Sequence, residues 1–394
     1  MAPRLFLVAG EPSGDLLGAA LIAGLREICG PDLAVEGIGG PAMEAQGLAS
    51  RFPMSELSVM GIAEVLPRLP NLLRRIRETG DAVAAASPDA LVTIDSPDFT
   101  LRVAGRARKL RPDLRVVHYV APSVWAWRPG RAVRMAKVVD HVLALLPFEP
   151  PYMEAAGMSC DFVGHPVAAE PQAHPEEVAA LRSELAIGPG QPVLALLPGS
   201  RRGEVTRLAP VFAEVARRLR QRLPDLAVIV PAARGMVPLI DGALRPDGPG
   251  WPHVLDPSGF AAPAWEARKR AAFALADVAL AASGTVSLEL AAAGTPMVIA
   301  YDANPLSVFL AKRLVRIDTA TLVNLVTDSR TVPEFLFERC TPSEILPAVA
   351  RLLDDPTAFA EQRAAADETM RLLGRGGDPP GLRAARSVLS VLGR

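Results

Sequence analysis

Leu5-Phe-Leu-Val-Ala-Gly-Glu-Pro-Ser-Gly-Asp15 runs from a short apolar stretch through a glycine and proline turn into an apolar helical pattern that lasts to about Ile28. In the second half of the chain Val193-Leu-Ala-Leu-Leu-Pro-Gly-Ser-Arg-Arg-Gly-Glu204 repeats the plan. An apolar strand that enters a helix through a glycine loop is the opening unit of a parallel sheet with crossover helices. Working outward from the first copy, strands are expected at Leu5–Ala9, Ala34–Ile38, Ala90–Ile94, Arg115–Tyr119, His141–Ala144 and Asp161–Val163, with helices between them. From the second copy they are expected at Val193–Leu197, Ala227–Val230, His253–Leu255, Val278–Ala281 and Met297–Ala300, with Val205–Arg222 the clearest amphipathic helix. Helical patterns near 344–354, 356–373 and 380–392 close the chain. Between the two series Gly164–Pro175 holds three prolines and two histidines and has little apolar periodicity, which marks a linker.

A chain of 394 residues exceeds what one core usually supports. Half of it is apolar and only 5% aromatic, as suits an Ala/Leu/Val-rich α/β interior. These features predict an α/β protein of GT-B type, with two Rossmann-like domains facing a central cleft. The boundaries are 1–168 for the first domain, 176–375 for the second and 376–394 for a C-terminal helix. With 42 basic and 43 acidic residues there is no overall field to attract nucleic acid. Cys29, Cys160 and Cys340 are far apart and form no CxxC pair, so neither a disulfide framework nor a zinc site is expected, and a reducing compartment fits. The N-terminal apolar run is too short for a signal peptide, and charges or prolines break every candidate for the ~20-residue span of a membrane.

Chemistry is expected at the strand ends. Glu11, Ser13, Gly14 and Asp15 lie in the first turn, where Ser13 is a plausible helix cap and Asp15 complements the positive helix end. Asp95 and Asp98, in Ile94-Asp-Ser-Pro-Asp-Phe99, follow a buried strand, where open α/β sheets place their ligands and where a carboxylate is well sited to act as a general base. Helix capping is the plainer role, and it suits Asp98 better. The spacing is DxxD rather than DxD, and the histidines lack metal-ligand spacing, so no metal and no cofactor is expected. His118-Tyr-Val-Ala-Pro-Ser-Val-Trp-Ala-Trp-Arg128 adds Ser123, Trp125, Trp127 and Arg128, suited to a sugar or acyl chain if they do not simply pack.

In the second half Gly199, Ser200 and Arg201 form a glycine loop in which arginine can grip a diphosphate while helix-start amides share its charge. Ser283, Gly284 and Thr285 offer a second phosphate-binding turn, and Glu289, one helical turn on, can accept ribose hydroxyls. A carboxylate has few other reasons to sit in so apolar a helix.

VAGEPSGD, MGIAEVLPRL, IDSPDF, HYVAPSVWAWR, LPFE, FVGHP, LPGSRRGEV, ASGTVSLE and AKRLV together closely resemble the lipid-A-disaccharide synthase family, over nearly the whole chain and in the family's order. The resemblance implies UDP-2,3-diacylglucosamine as donor, 2,3-diacylglucosamine 1-phosphate as acceptor, and a β(1→6) disaccharide and UDP as products. It implies Asp95 as the base, Arg201 and Glu289 as UDP residues, and polar roles for Glu11 and Ser13. Asn324 matches the asparagine of a PNLL-like segment, although Leu322-Val-Asn-Leu-Val326 carries Val323 in place of the proline. The rival readings are another GT-B UDP-sugar enzyme, an epimerase or glucosaminyl transferase, and a non-enzymatic lipid-binding protein. The former should lack VWAWR and IDSPDF, and the latter leaves the phosphate loops without a purpose.

An anionic membrane surface is the further expected partner, which places the protein on the cytoplasmic face of the inner membrane; a homo-oligomer is compatible with the sequence. Ten Lys/Arg lie between Leu101 and Lys137 against the single acid Asp113. Val59–Arg77 sets Met60, Ile62, Val65, Leu66, Leu69, Leu72 and Leu73 beside Arg68, Arg74, Arg75 and Arg77, a pattern suited to an interfacial helix. Core burial of the leucines is the alternative.

Overall fold

The computed structural model describes residues 3–57, 62–244, 251–304, 308–309, 313 and 317–394, with the backbone alone for 62–68. Met60, the side chains of Ile62, Val65, Leu66 and Arg68, and all of the AKRLV run except Arg313 therefore lie outside the described residues.

The α/β expectation holds: two parallel sheets of six strands carry the chain. The first contains β1 (Arg4–Ala9), β2 (Ala34–Ile38), β3 (Ala90–Ile94), β4 (Arg115–Tyr119), β5 (His141–Ala144) and β6 (Ser159–Phe162), in the order β2-β1-β3-β4-β5-β6. Every residue of β3 is buried, as a strand covered by helices on both faces must be. The register sets Ala9 beside Ile94 and Ile94 beside Tyr119, so β1, β3 and β4 end level with one another. The order reverses at β1 and β3, and it is there, beyond the carboxyl ends, that an open sheet of this kind leaves a crevice.

The second sheet contains β7 (Val193–Leu197), β8 (Ala227–Pro231), β9 (His253–Leu255), β10 (Val278–Ala282), β11 (Met297–Tyr301) and β12 (Glu334–Leu336), in the order β12-β11-β10-β7-β8-β9. Its reversal lies between β7 and β10, where Leu197 pairs with Ala281. The edge strand β12 was not foreseen, because three residues after Pro333 carry no readable alternation.

Two compact units result, Met1–Ala169 with Leu373–Arg394, and Glu170–Leu372. The last helix, Pro380–Val391, thus belongs to the first unit. It packs backbone to backbone on the helix Pro12–Cys29: a Cβ added to Gly24 would stand 2.6 Å from the Gly381 carbonyl oxygen, and one added to Gly381 would stand 2.4 Å from that of Ala20. Only glycine permits so close an approach. Ser387 Oγ meets His141 Nε2 at 2.8 Å and donates to Asp161 at 2.6 Å, and Arg383 donates to the Phe162 carbonyl at 2.7 Å. Ala384, Ala385 and Val388 complete the apolar core that contains Leu21, Leu25 and Val92.

Candidate active site

The crevice of the first sheet holds a cavity of about 720 Å³. Its polar lining is Glu11, Asp95, Ser96, Asp98, Arg102, His118, Ser123 and Arg131, and Leu57, Leu69, Leu72, Leu73 and Ile76 supply an apolar side. Asp95 and Ser96 both have left-handed backbone, with φ of +50° and +43°. Two consecutive non-glycine residues in that region store strain of a kind that collects at functional sites. Asp95 has the partners the sequence did not reveal: Oδ1 accepts from the Ser96 amide at 2.8 Å and Oδ2 from Ser13 Oγ at 3.3 Å. Gly10 leaves room for the Ser96 side chain, since a Cβ there would lie 2.7 Å from Ser96 Oγ.

Two expected caps are corrected. The helix Pro12–Cys29 has Glu11 at its N-cap, which leaves Ser13 free to reach Asp95. The helix Pro97–Leu110 has Ser96 at its N-cap, and Asp98 stands exposed in its first turn. Asp15 is buried and accepts from the amides of Gly40, Ala42 and Met43 at 2.8, 2.9 and 3.0 Å. It pins the chain after β2, and neither it nor Gly14 lines the cavity.

In the second sheet a cavity of about 450 Å³ opens at the reversal between β7 and β10. Gly199 and Ser200 line it from the loop after β7 with Glu204 from the helix that follows, and Ser283, Gly284 and Thr285 line it from the loop after β10 with Glu289 from the helix that follows. Glu204 organises the first loop by accepting from the amides of Ser200 and Arg201 at 3.3 Å and from the Arg201 guanidinium at 3.2 Å. The Arg201 side chain is 74% exposed at the helix start rather than in the cavity wall. Glu289 has a structural reason to be where it is: Lys269 Nζ lies 2.8 Å from its carboxylate and 2.7 Å from that of Glu266. Burial opposes the Lys269 charge, but the two carboxylates outweigh it and hold its pKa above the ordinary value.

The family model described as lipid-A-disaccharide synthetase matches residues 5–377. The chain belongs to the lipid-A-disaccharide synthase family. Among curated members it is 61% identical to the lipid-A-disaccharide synthase of Ruegeria pomeroyi over 389 residues, covering 99% of this chain and 95% of that one. To that of Rhodospirillum centenum it is 48% identical over 394 residues, 100% of this chain and 96% of the other. A UDP-GlcNAc 2-epimerase from Neisseria meningitidis, solved bound to UDP-GlcNAc, superposes with a TM-score of 0.62 at 11% identity over 99% of each chain. The calicheamicin glycosyltransferase does so with 0.55 at 18% identity over 100% of this chain and 99% of its own. At such identities these two likenesses speak for the GT-B fold alone.

The remaining residues read in this lipid-A-disaccharide synthase family member divide between wall and support. Ser123 lines the first cavity. Trp125 packs edge-on against Phe148, with centroids 5.2 Å apart, and its indole N–H donates to Glu149 at 3.3 Å. Glu149 also accepts from the Leu145 and Leu146 amides at 3.1 and 3.0 Å; burial pushes its pKa up to about 7 against those bonds. Trp127 is exposed beneath the Arg128 guanidinium, which sits 4.3 Å from its ring centre. Asn324 is wholly buried, giving its amide protons to Thr319 Oγ1 and the Val332 carbonyl and accepting from the Val332 amide at 3.0 Å. It braces the segment on which Ser283 rests through its bond to the Ala320 carbonyl at 3.0 Å. The sequence reading counted Arg102 and Arg131 only in the basic stretch and passed over Arg234 and Lys269; all four line the cavities. Position at a strand end was the signal available for Arg234, three residues past β8.

Proposed function

We propose that this chain transfers 2,3-diacylglucosamine from UDP-2,3-diacylglucosamine to 2,3-diacylglucosamine 1-phosphate, giving a β(1→6) disaccharide and UDP. The observation that carries the reading is the Asp95 carboxylate, set on left-handed backbone and steadied by Ser13 in a cavity with an apolar side at the sheet reversal. Asp95 takes the proton of the acceptor's 6-hydroxyl as that oxygen attacks the donor's anomeric carbon from the face opposite the leaving UDP. The C–O bond to carbon forms as the one to phosphate oxygen breaks, and configuration inverts in one step. Arg102 and Arg131 are the cations at hand for the acceptor phosphate, and Leu69, Leu72, Leu73 and Ile76 for its acyl chains. Amides of the 199–201 and 283–285 turns, with Arg201 and Arg234, meet the charge that develops on UDP. Incubation with both substrates should release UDP and disaccharide together; UDP-sugar epimerised without an acceptor would favour the epimerase reading.

Glu289 is assigned the ribose hydroxyls, held in place by Lys269. Arg201→Ala and Glu289→Ala are each expected to weaken UDP binding by about 1.5–3 kcal/mol, the range for a hydrogen bond to a charged group. Calorimetry with UDP checks this, and unchanged affinity in both variants would move the nucleotide elsewhere.

The working place we infer is the cytoplasmic face of the inner membrane, reached from its surface. No helix among the described residues is long and apolar enough to cross a bilayer. Leu69 and Leu73 are exposed at 38% and 42%, beside the exposed Arg74 and Arg77. The basic stretch is weaker than its count suggests, because Arg106 pairs with Asp81, Arg108 with Asp140 and Arg111 with Asp113. Binding to anionic vesicles should therefore fall with salt without vanishing, since the apolar contribution is not screened. Absence of binding at any ionic strength would remove the membrane from the proposal.

A further inference from the structure

His118 lines the first cavity, and the transfer as written does not use its chemistry. It sits near the end of β4 and is 1% exposed, yet it lines the cavity beside Asp95. Its Nδ1 lies 2.8 Å from Thr93 Oγ1, and Thr93 Oγ1 is also 3.2 Å from the Val117 carbonyl oxygen. A hydroxyl has one proton. Given to the carbonyl, it satisfies both contacts if Nδ1–H donates to Oγ1; given to Nδ1, it leaves the carbonyl contact without a proton. The Nδ1–H tautomer is the one that serves both contacts, and in it Nε2, which has no protein partner among the described residues, presents a bare lone pair. Burial and the Arg131 charge hold the His118 pKa down to about 4, so the ring stays neutral at physiological pH.

A lone pair at the floor of a sugar site selects its ligand. It repels phosphate oxygens, which bring only lone pairs and have Arg102 and Arg131 to turn to. It accepts from a hydroxyl. The acceptor is substituted at positions 1, 2 and 3, so once Asp95 takes O6 the remaining ring hydroxyl is that on C4. We propose that His118 reads the 4-hydroxyl of the acceptor sugar, accepting its proton at Nε2 and so presenting the adjacent 6-hydroxyl to Asp95. This deepens the reading given under Proposed function and rests on it.

The test compares the parent acceptor with its 4-deoxy and 4-fluoro analogues, following UDP release. In the wild type both analogues should lose about 10- to 100-fold in kcat/KM, because each leaves a buried acceptor atom unpaired and fluorine cannot donate. In His118→Ala the three acceptors should be used equally well, with the KM for the donor unmoved. In His118→Gln, whose amide oxygen can still accept, part of the discrimination should return. Equal use of the 4-deoxy acceptor by the wild type, or a full penalty retained in His118→Ala, would overturn the inference. Should the alanine variant not fold, the wild-type comparison and the nitrogen-15 resonance of the His118 ring decide. A protonated Nε2 counts against the assignment and a bare one supports it. Absence of turnover with the parent acceptor would instead defeat the transferase reading, so the two failures are distinguishable.

Discussion

Asp95→Asn is expected to leave the fold and the UDP affinity intact while turnover falls by about 10²–10⁴-fold, the cost of losing a general base. Asparagine fits where the aspartate sits. It tolerates left-handed backbone as readily, and its amide oxygen can keep the contact with the Ser96 amide now made by Oδ1 at 2.8 Å. What it lacks is the basic lone pair for the acceptor hydroxyl. Asp98→Asn is the control, because the two carboxylates line one cavity and differ in setting. Asp98 stands in the first turn of a helix whose N-cap position is Ser96, so neutralising it forfeits a dipole contribution of about 0.3–1 kcal/mol and little else. Steady-state rates read beside thermal melts separate the two. A folded Asp95→Asn protein with a near-normal rate, or a dead Asp98→Asn protein, would put the base on the other carboxylate.

Asp15→Ala should produce the largest loss of stability, although the residue stands in the first turn of a helix whose N-cap, Glu11, lines the cavity. Its carboxylate is 5% exposed and takes amide protons from Gly40, Ala42 and Met43, the start of the helix Pro41–Ala45. Alanine leaves these donors to compete for whatever water can enter. At about 1–3 kcal/mol for an unsatisfied buried group, with partial relief by relaxation, the net cost is on the order of 3–5 kcal/mol. For a unit of this size that lowers the melting temperature by on the order of 10 °C. Asp15→Asn keeps one acceptor oxygen and should fall between. A variant that melts like the wild type but loses acceptor binding would show that Asp15 acts on the ligand and that its amide contacts are incidental.

The alternation of the two sheets was legible because strands buried on both faces, such as Ala90–Ile94 and Val193–Leu197, read as unbroken apolar runs. Asp95 was legible for a related reason: a carboxylate that ends such a run has left the core for the crevice. Lys269 was not, since Trp265-Glu-Ala-Arg-Lys-Arg270 reads as an ordinary solvated face, and only the packing of the helix Ala262–Leu275 brings its ammonium to Glu289. Asn324 shows what a motif alone does not reveal. A motif match offered it as a ligand residue, whereas its amide is spent on Thr319 and Val332. Sequence spacing reports which residues share an element; it says little about which side chains have already satisfied one another.

The helix Pro380–Val391 docks on the helix Pro12–Cys29, so the first unit is built from the two ends of the chain while the second is one continuous segment. During synthesis the ribosome must therefore deliver all of Glu170–Leu372 before the residues that close the first apolar core emerge. The continuous unit is free to fold on the nascent chain, and the discontinuous one waits, incomplete, until residues 373–394 emerge. A premature stop just after residue 372 would spare the second unit and uncover Leu21 and Leu25 on the first, apolar surface of the kind that quality-control chaperones and proteases bind. Residues made after Leu372 decide whether the core begun before Ala169 is ever closed.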